Sequence, residues 1–495
     1  VSERTVGVVG AGTMGSGIAQ LAAQAGYETL VFDPVEGAAA GGVDRALGGI
    51  DKLRAKGKLK GEPAALRAVG ALDELAACRL IVEAAPERLE LKHELFASLS
   101  EVAPEAVLAS NTSSIPITAI AQGAADPSRV IGMHFFNPAP LMKLMELIAG
   151  MESSPEALAL GREVGEAMGK RVIDAADVAG FLVNRCNRPF GLEALRVLQE
   201  RMAEVPTIDR ILRGNGFRMG PFELQDLVGI DVGFEVSKSF YELSFGEPRW
   251  RPSPLSAQMV AAGRHGRKSG RGWYRYPREG IGDEPAPEPG GGDGLIVIAG
   301  DLAVADDLRD LAGQAGWDVA EPEDANGAVP HLILDCGHHG DPPLEGGPQA
   351  LLLVEGSLHA LDPGGSAIGF HVMPPIGDVV EFIARAQTDT ARFEAFVRTL
   401  GLIPIRVAGD APGLVSGRML CQVINESGFA VGEGIGSPDD VDAGLVLGMN
   451  HPQGPFERLE AAGLDHVLLV LDALQDELGE ERYRAAPFLR RLAAG

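Results

Sequence analysis

The chain is short of cysteine, of long apolar runs and of positive charge, and each shortage excludes a class of protein. Cys78, Cys186, Cys336 and Cys421 are the four cysteines in 495 residues, far apart and without a CxxC pair. Neither a disulfide framework nor a zinc site is indicated. No apolar run approaches the roughly 20 residues that span a bilayer. The N-terminal VSERTVGVVG passes into a strand pattern without a basic leader, so a cytoplasmic location is expected. A net charge of −26 opposes attraction to nucleic acid or an anionic membrane, because both reward a basic surface. No nucleic-acid or membrane partner is expected.

What is present is the balance of a folded globular chain, with 45% hydrophobic and 23% charged residues. The length exceeds the roughly 250 to 300 residues at which single cores stop growing, so two or more domains are expected. One local exception to the acidic character is KLRAKGKLK, where Lys52, Arg54, Lys56, Lys58 and Lys60 occur without an acid between them. An anionic ligand would find a basic patch there.

The segment TVGVVGAGTMGSGIAQLAAQAGYETLVFD reads as an apolar strand, a glycine turn, an Ala-rich helix and a second strand ending at Asp33. That is a βαβ unit. Further strands are predicted at Leu80 to Ala84, Val107 to Ala109 and Val130 to Met133 with helices between them, the pattern of an open parallel, doubly wound sheet. From about Asp177 to Tyr276 the periodicity turns helical, and PREGIGDEPAPEPGGGDG then reads as a linker. After the linker, LIVIAGDLAVADDLRDLAGQAGWDV resembles a strand, a helix and a strand again. Later stretches echo the first half: AIGFHVMPPIGDVVEFI follows VIGMHFFNPAPLMKLMELI, and QGPFERLEAAGLD follows MGPFELQDLVGID. The expected fold is an α/β Rossmann-type domain at 1–177. An all-α domain at 178–278, a linker at 279–294, and a degenerate second copy at 295–406 and 407–495 follow.

Gly10, Gly12 and Gly15 form GxGxxG between a strand and a helix, with Asp33 eighteen residues beyond. The first glycine makes the turn, the second admits a pyrophosphate to the backbone, and the third permits close helix packing. The helix N-terminus adds N–H groups and a positive dipole. The turn residues Gly10, Gly12, Thr13, Met14 and Gly15 are the candidate dinucleotide contacts. Asp33 favours NAD over NADP, since a carboxylate accepts from ribose hydroxyls and repels a 2′-phosphate.

Past this unit come SNTSSIPI from Ser110 and HFFNPAPLMKLMEL from His134. Hydride removal from a secondary alcohol needs a base, and a histidine suits that task when a carboxylate fixes its tautomer. Glu146 lies twelve residues past His134, a spacing that no single helix or strand brings together, so the pairing stays open at this level.

The GxGxMGxGIA start, SNTSS, HFFNP and the GFxVNR block together resemble the L-3-hydroxyacyl-CoA dehydrogenase family, from Val6 to about Tyr276. That resemblance implies NAD as cofactor, a 3-hydroxyacyl-CoA substrate, His134 as general base and Glu146 as its orienting carboxylate. It also implies Ser113 on the reacting oxygen and Asn184 completing the polar pocket. It assigns Glu87, Lys92 and Asn137 to the cofactor, and places Lys52 and Lys56 on a helical hairpin that binds CoA within 1–177, although Glu87 and Lys92 could equally be a solvated helix face. Gly49 stands where the family can have a CoA-contacting serine. The chain is expected as a monomer or homodimer, in fatty-acid or aromatic-acid (phenylacetate-type) catabolism. The alternatives are a dehydrogenase of free 3-hydroxy acids and a non-catalytic NAD-binding structural protein.

In the second copy only Gly300 remains of the glycine fingerprint, and Gly417 replaces Asn184. His371 and Glu381 echo His134 and Glu146 with the spacing shortened by two, so this repeat is expected to be non-catalytic and to pack against the first helical domain or stand in for a partner's.

Overall fold

A computed structural model describes residues 4–278, 282–325, 328–337 and 347–494, so the first three positions of the expected linker lie outside the described residues. Its chain forms two compact units, Val1–Arg185 with Glu433–Met449, and Cys186–Gly432 with Asn450–Gly495.

The first unit is built on eight strands: β1 (Thr5–Val9), β2 (Glu28–Phe32), β3 (Leu66–Ala68), β4 (Leu80–Glu83), β5 (Val107–Ser110), β6 (Val130–Phe135), β7 (Leu144–Ala149) and β8 (Arg171–Ala176). Their order is β3-β2-β1-β4-β5-β6-β7-β8. Strands β1, β4, β5, β6 and β7 are buried along nearly their whole length, as apolar strands covered on both faces by helices must be. Helices α1 (Thr13–Gln24), α2 (Ala38–Ala55) and α3 (Leu89–Val102) provide part of that cover. The strand order reverses between β1 and β4, the place where open α/β sheets take ligands.

Two expectations need correction. The sheet is not wholly parallel: β7 runs antiparallel to β6 and parallel to β8. The connection Phe136–Lys143, with Pro138 and Pro140, turns the chain straight back, so no crossover helix is available to keep β7 parallel to β6. The expected helical hairpin is also absent. Only α2 is helical, and Lys58 to Ala65 is irregular because Gly57 (φ +64°), Gly61 and Pro63 interrupt the helix.

The second unit holds a seven-stranded sheet: β9 (Leu295–Ala299), β10 (Asp318–Ala320), β11 (Leu332–Asp335), β12 (Gln349–Leu352), β13 (Ile368–His371), β14 (Val379–Ala384) and β15 (Ile403–Arg406). Its order, β10-β9-β11-β12-β13-β14-β15, repeats that of the first sheet, with no counterpart of β3 among the described residues. The β13–β14 pair is antiparallel, as β6–β7 is. The duplication extends to the helices. Gly220 N donates to Glu223 at 2.9 Å at the start of Pro221–Val228, and Gly454 N donates to Glu457 at 3.0 Å at the start of Pro455–Ala462.

Within this unit the helix Ser416–Gly432 of the second repeat packs on Arg188–Gln199 of the first. Arg418, fully buried, pairs with Glu193 and Glu200 at 2.5 Å each and donates to Tyr483 at 2.7 Å. The buried charges are matched, which such a contact requires.

Candidate active site

The glycine turn joins β1 to α1. Gly10 has φ +97°, and a Cβ there would lie 2.6 Å from the Ala84 carbonyl oxygen; one on Gly15 would lie 1.7 Å from the Gly10 oxygen. Both positions therefore require glycine. Beside Gly12 the space is open, with nothing within 4 Å of where a Cβ would stand, and the α1 N-terminus has no side-chain cap. A cavity of about 730 Å³ opens there, lined by Gly10, Gly12, Thr13, Met14, Asp33, Leu72, Ala84 to Pro86, Leu91 and Leu95, among others. Asp33 sits at the end of β2, where its carboxylate accepts from Ala11 N at 2.8 Å and Val35 N at 2.9 Å. Free N–H groups at a helix start, open space beside glycine and a carboxylate at the rim fit a dinucleotide. The apolar lining from Leu72, Leu91 and Leu95 was not among the sequence candidates; for Leu91 and Leu95 the signal is the apolar spacing of α3. Arg45 was also missed, and it bonds the Ala11 carbonyl and, at 3.3 Å, Ser16.

Glu87 is exposed just before α3, whereas Lys92 does not lie on a solvated face. Lys92 is buried, with its ammonium 2.7 Å from Glu83 and 3.4 Å from Glu87. Glu83, at the end of β4, also accepts from Ser110 at 2.6 Å. One oxygen of Glu87 gathers the SNTSS loop: it accepts from Thr112 Oγ1 at 2.6 Å, Ser113 N at 3.0 Å, and Ser114 N and Oγ at 3.1 and 3.0 Å. Burial pushes the Glu87 carboxyl up, but Lys92 and these donors outweigh it and hold it below the usual carboxylate range. The loop that carries Ser113 is thereby held from behind.

Ser113 reaches His134. Its Oγ lies 3.1 Å from His134 Nε2, and on the other side of the ring Nδ1 lies 2.7 Å from Glu146 Oε2. The ladder explains the meeting, since His134 stands directly opposite Glu146 in the β6–β7 register. An antiparallel neighbour brings two residues together at a twelve-residue separation when the intervening chain folds straight back, a signal present in the sequence as NPAP. Glu146 is inaccessible to solvent, and its second oxygen accepts from Leu182 N at 3.0 Å and Val183 N at 2.9 Å. The imidazole lies beside the rings of Phe136 and Phe181, with centroids 4.7 and 5.7 Å away. Asn111, also in SNTSS, accepts from Phe135 N at 2.9 Å and ties β6 to that loop.

Asn184 follows Val183 directly and is half-buried in the short helix Val183–Cys186. Asn137 is exposed just past β6 and is not among the residues that line the cavity. Lys52 and Lys56 are exposed at the end of α2, and the basic stretch is partly neutralised because Arg54 pairs with Asp51 at 2.7 Å and Glu62 at 3.3 Å. Lys170, buried, donates to the carbonyls of Ala139 and Met142 at 2.5 and 2.6 Å and so fastens the β6–β7 connection; burial pulls its ammonium down to about 8.

Comparison with known proteins decides the lineage. Residues 5–178 match the 3-hydroxyacyl-CoA dehydrogenase NAD binding domain, and residues 180–276 and 413–495 each match that family's C-terminal domain. The chain belongs to the 3-hydroxyacyl-CoA dehydrogenase family. Over its full length it is 35% identical to a 3-hydroxyadipyl-CoA dehydrogenase of Escherichia coli, covering 98% of that protein. It is also similar to a crystal structure of 3-hydroxybutyryl-CoA dehydrogenase from Escherichia coli, at a TM-score of 0.83 and 33% identity over 100% of this chain and 99% of that one. A probable 3-hydroxybutyryl-CoA dehydrogenase of Deinococcus radiodurans is 41% identical over 54% of this chain and 99% of its own length. The chain is thus a 3-hydroxyacyl-CoA dehydrogenase with two copies of the C-terminal family domain, and residues 5–178 are its NAD-binding part. Among the described residues no helix is long and apolar enough to cross a membrane, and no group of His, Cys, Asp or Glu could hold a metal.

Proposed function

We propose that this 3-hydroxyacyl-CoA dehydrogenase oxidises (S)-3-hydroxyacyl-CoA to 3-ketoacyl-CoA with His134 as general base and Glu146 as its orienting carboxylate. The observation that carries the reading is the line Glu146, His134, Ser113, with contacts of 2.7 and 3.1 Å on opposite ring nitrogens. Gly10, Gly12, Thr13, Met14 and Asp33 hold NAD, which when bound supplies the acceptor for the hydride leaving C3. His134 Nε2 takes the proton of the 3-hydroxyl. Glu146, fixed by the Leu182 and Val183 amides, keeps Nδ1 protonated and stabilises the imidazolium. Ser113 steadies the oxygen while its charge changes, and Asn184 completes the polar surround. Lys52 and Lys56 offer exposed cations to the CoA phosphates. Oxidation releases a proton, so its equilibrium shifts toward the ketone as pH rises.

The acyl tail we assign is short; the full-length relatives, named a 3-hydroxyadipyl-CoA and a 3-hydroxybutyryl-CoA dehydrogenase, make a dicarboxylyl and a butyryl tail the two candidates, the first suiting aromatic-acid and the second fatty-acid catabolism. A terminal carboxylate needs a cation. Of the arginines near the GFxVNR block, Arg185 pairs with Glu433 at 2.7 Å and Arg213 with Asp283 at 2.7 Å. Arg188 stacks on Phe240 at 4.3 Å and, among the described residues, has no carboxylate partner.

Following NADH formation with Glu146→Gln tests the mechanism. The expected result is a fall in kcat of about 10²- to 10⁴-fold in a folded variant; unchanged turnover would remove the paired His134–Glu146 reading. Comparing kcat/KM for 3-hydroxybutyryl and 3-hydroxyadipyl thioesters tests the tail, with preference for the butyryl compound counting against the dicarboxylate.

A further inference from the structure

The segment Glu433–Met449 belongs in sequence to the second repeat but in space to the first compact unit. Its helix, Pro438–Met449, lies against β7 and β8. Ala176 N, at the end of β8, donates to Ile435 O at 3.1 Å; Glu433 pairs with Arg185 at 2.7 Å and Asp440 with Arg171 at 3.6 Å. Three glycines set how closely this segment approaches. A Cβ on Gly436 would lie 2.6 Å from Leu182 Cδ2, one on Gly444 2.7 Å from Val183 Cγ2, and one on Gly448 2.8 Å from Leu144 Cδ2 and 3.3 Å from Phe136 Cε1. At each glycine the nearest approach is closer than real Cβ atoms come, so the segment packs tightly on those side chains.

The residues it touches are those that hold the histidine and glutamate. Leu182 and Val183 supply both amides to Glu146, and the Phe136 ring lies 4.7 Å from that of His134. Close-packed interiors pass a displacement on rather than absorb it. A shift of Val183 away from Gly444 carries its N–H with it, and a change near Gly448 moves the ring beside the imidazole.

We propose that the helix Pro438–Met449 is a positioning element for His134 and Glu146, through which the second repeat serves the first repeat's reaction in cis. The proposal rests on the mechanism given under Proposed function. The duplicated half then has a role without a reaction of its own: it covers Leu182 and Val183 from outside, keeps water from the amide bonds to Glu146, and keeps the carboxylate aimed at Nδ1. Hydrogen bonds of this kind gain strength where water is excluded, and misplacement by about 1 Å is enough to cost about 100-fold in rate.

The test uses the full chain. Gly444→Ala introduces a methyl against Val183, and kcat should fall about 10-fold or more while KM for NAD stays within about two-fold, because the glycine turn is elsewhere in the unit. The acid limb of the kcat–pH profile should move, since Glu146 loses part of its amide support. Adding Val183→Ala, which removes the clashing methyl groups, should restore turnover and the profile. Gly448→Ala, which presses on Leu144 and Phe136, gives an independent second variant should the first not fold. Folded glycine variants with unchanged kcat and pH profile would overturn the proposal. So would a loss of kcat that Val183→Ala does not rescue and that comes with an equal loss of NAD affinity, as general damage would give. An impaired Glu146→Gln beside normal glycine variants removes the positioning role alone, whereas a normal Glu146→Gln removes the mechanism beneath it.

Discussion

The Nε2 atoms of His371 and His466 lie 3.2 Å apart in the second repeat, both rings fully enclosed. His371 stands opposite Glu381 in the β13–β14 register, as His134 does opposite Glu146. Yet the hydrogen bonds of Glu381 come from Val415 N and Ser416 N, and His371 Nδ1 has no hydrogen-bond partner among the described residues. A Cβ on Gly417 would lie 2.3 Å from the His371 ring, so the position equivalent to Asn184 has no room for a side chain. The nitrogen that a substrate would need is taken by His466. His371→Asn should therefore leave kcat within about two-fold, whereas His134→Asn should lower it about 10²- to 10⁴-fold. Steady-state NADH formation by the two variants distinguishes the repeats, and loss of activity in folded His371→Asn would contradict a silent second copy.

The same pair makes stability depend on pH. Burial, and for His371 also the neighbouring His466, holds these imidazoles below the usual histidine range, His466 down to about 4. In the unfolded chain each protonates near about 6.5. With the folded values depressed, their contribution is present above that pH and is lost as pH falls toward 4. Glu381 acts in the opposite sense: burial raises it to about 7, which favours the folded chain at low pH and offsets part of the loss. Thermal melts should show Tm falling from pH 7 to pH 5, with a shallower fall in His466→Leu. Parallel profiles would exclude His466 as a source.

The Asp33 carboxylate accepts from Ala11 N and Val35 N and lines the cavity. Asp33→Ser should raise KM for NAD about 10-fold, the loss of about one charge-assisted hydrogen bond, with kcat nearly unchanged. It should also raise the relative use of NADP. A variant with unaltered cofactor preference would remove Asp33 from ribose recognition.

Lys170 satisfies two main-chain carbonyls in the β6–β7 connection. Lys170→Met leaves both acceptors without their donor, at about 1–3 kcal/mol each, so urea unfolding should report a loss of about 2–6 kcal/mol. Lys170→Arg, which keeps a donor, should retain most of that stability.

Arg418 has no exposed surface and is matched by Glu193 and Glu200. Removing one partner of a buried pair costs about 3–5 kcal/mol because the other charge is stranded. Arg418→Met should show that loss by denaturant melt, and Arg418→Met/Glu193→Met should recover a large part of it. Additive losses would mean that the two groups act independently.

Much of the site could be read from the residues in order, because its parts depend on short-range chemistry. GxGxxG followed by Asp33 specifies a turn, a helix start and a rim carboxylate within 24 residues, and the echo of motifs around Met219 and Gln453 exposed the duplication. Other features depend on which strand lies beside which. Glu146 reaches His134 because β7 turns back antiparallel, Lys92 is buried because Glu83 ends the neighbouring strand, and the chain from Lys58 to Ala65 stays irregular rather than forming the second arm of a hairpin. The placement of Pro438–Met449 against Leu182 and Val183 is the most distant of these relationships. Local pattern records what each segment prefers, but contacts across more than 250 residues are selected by packing, where glycines at 436, 444 and 448 have meaning only against the side chains they admit.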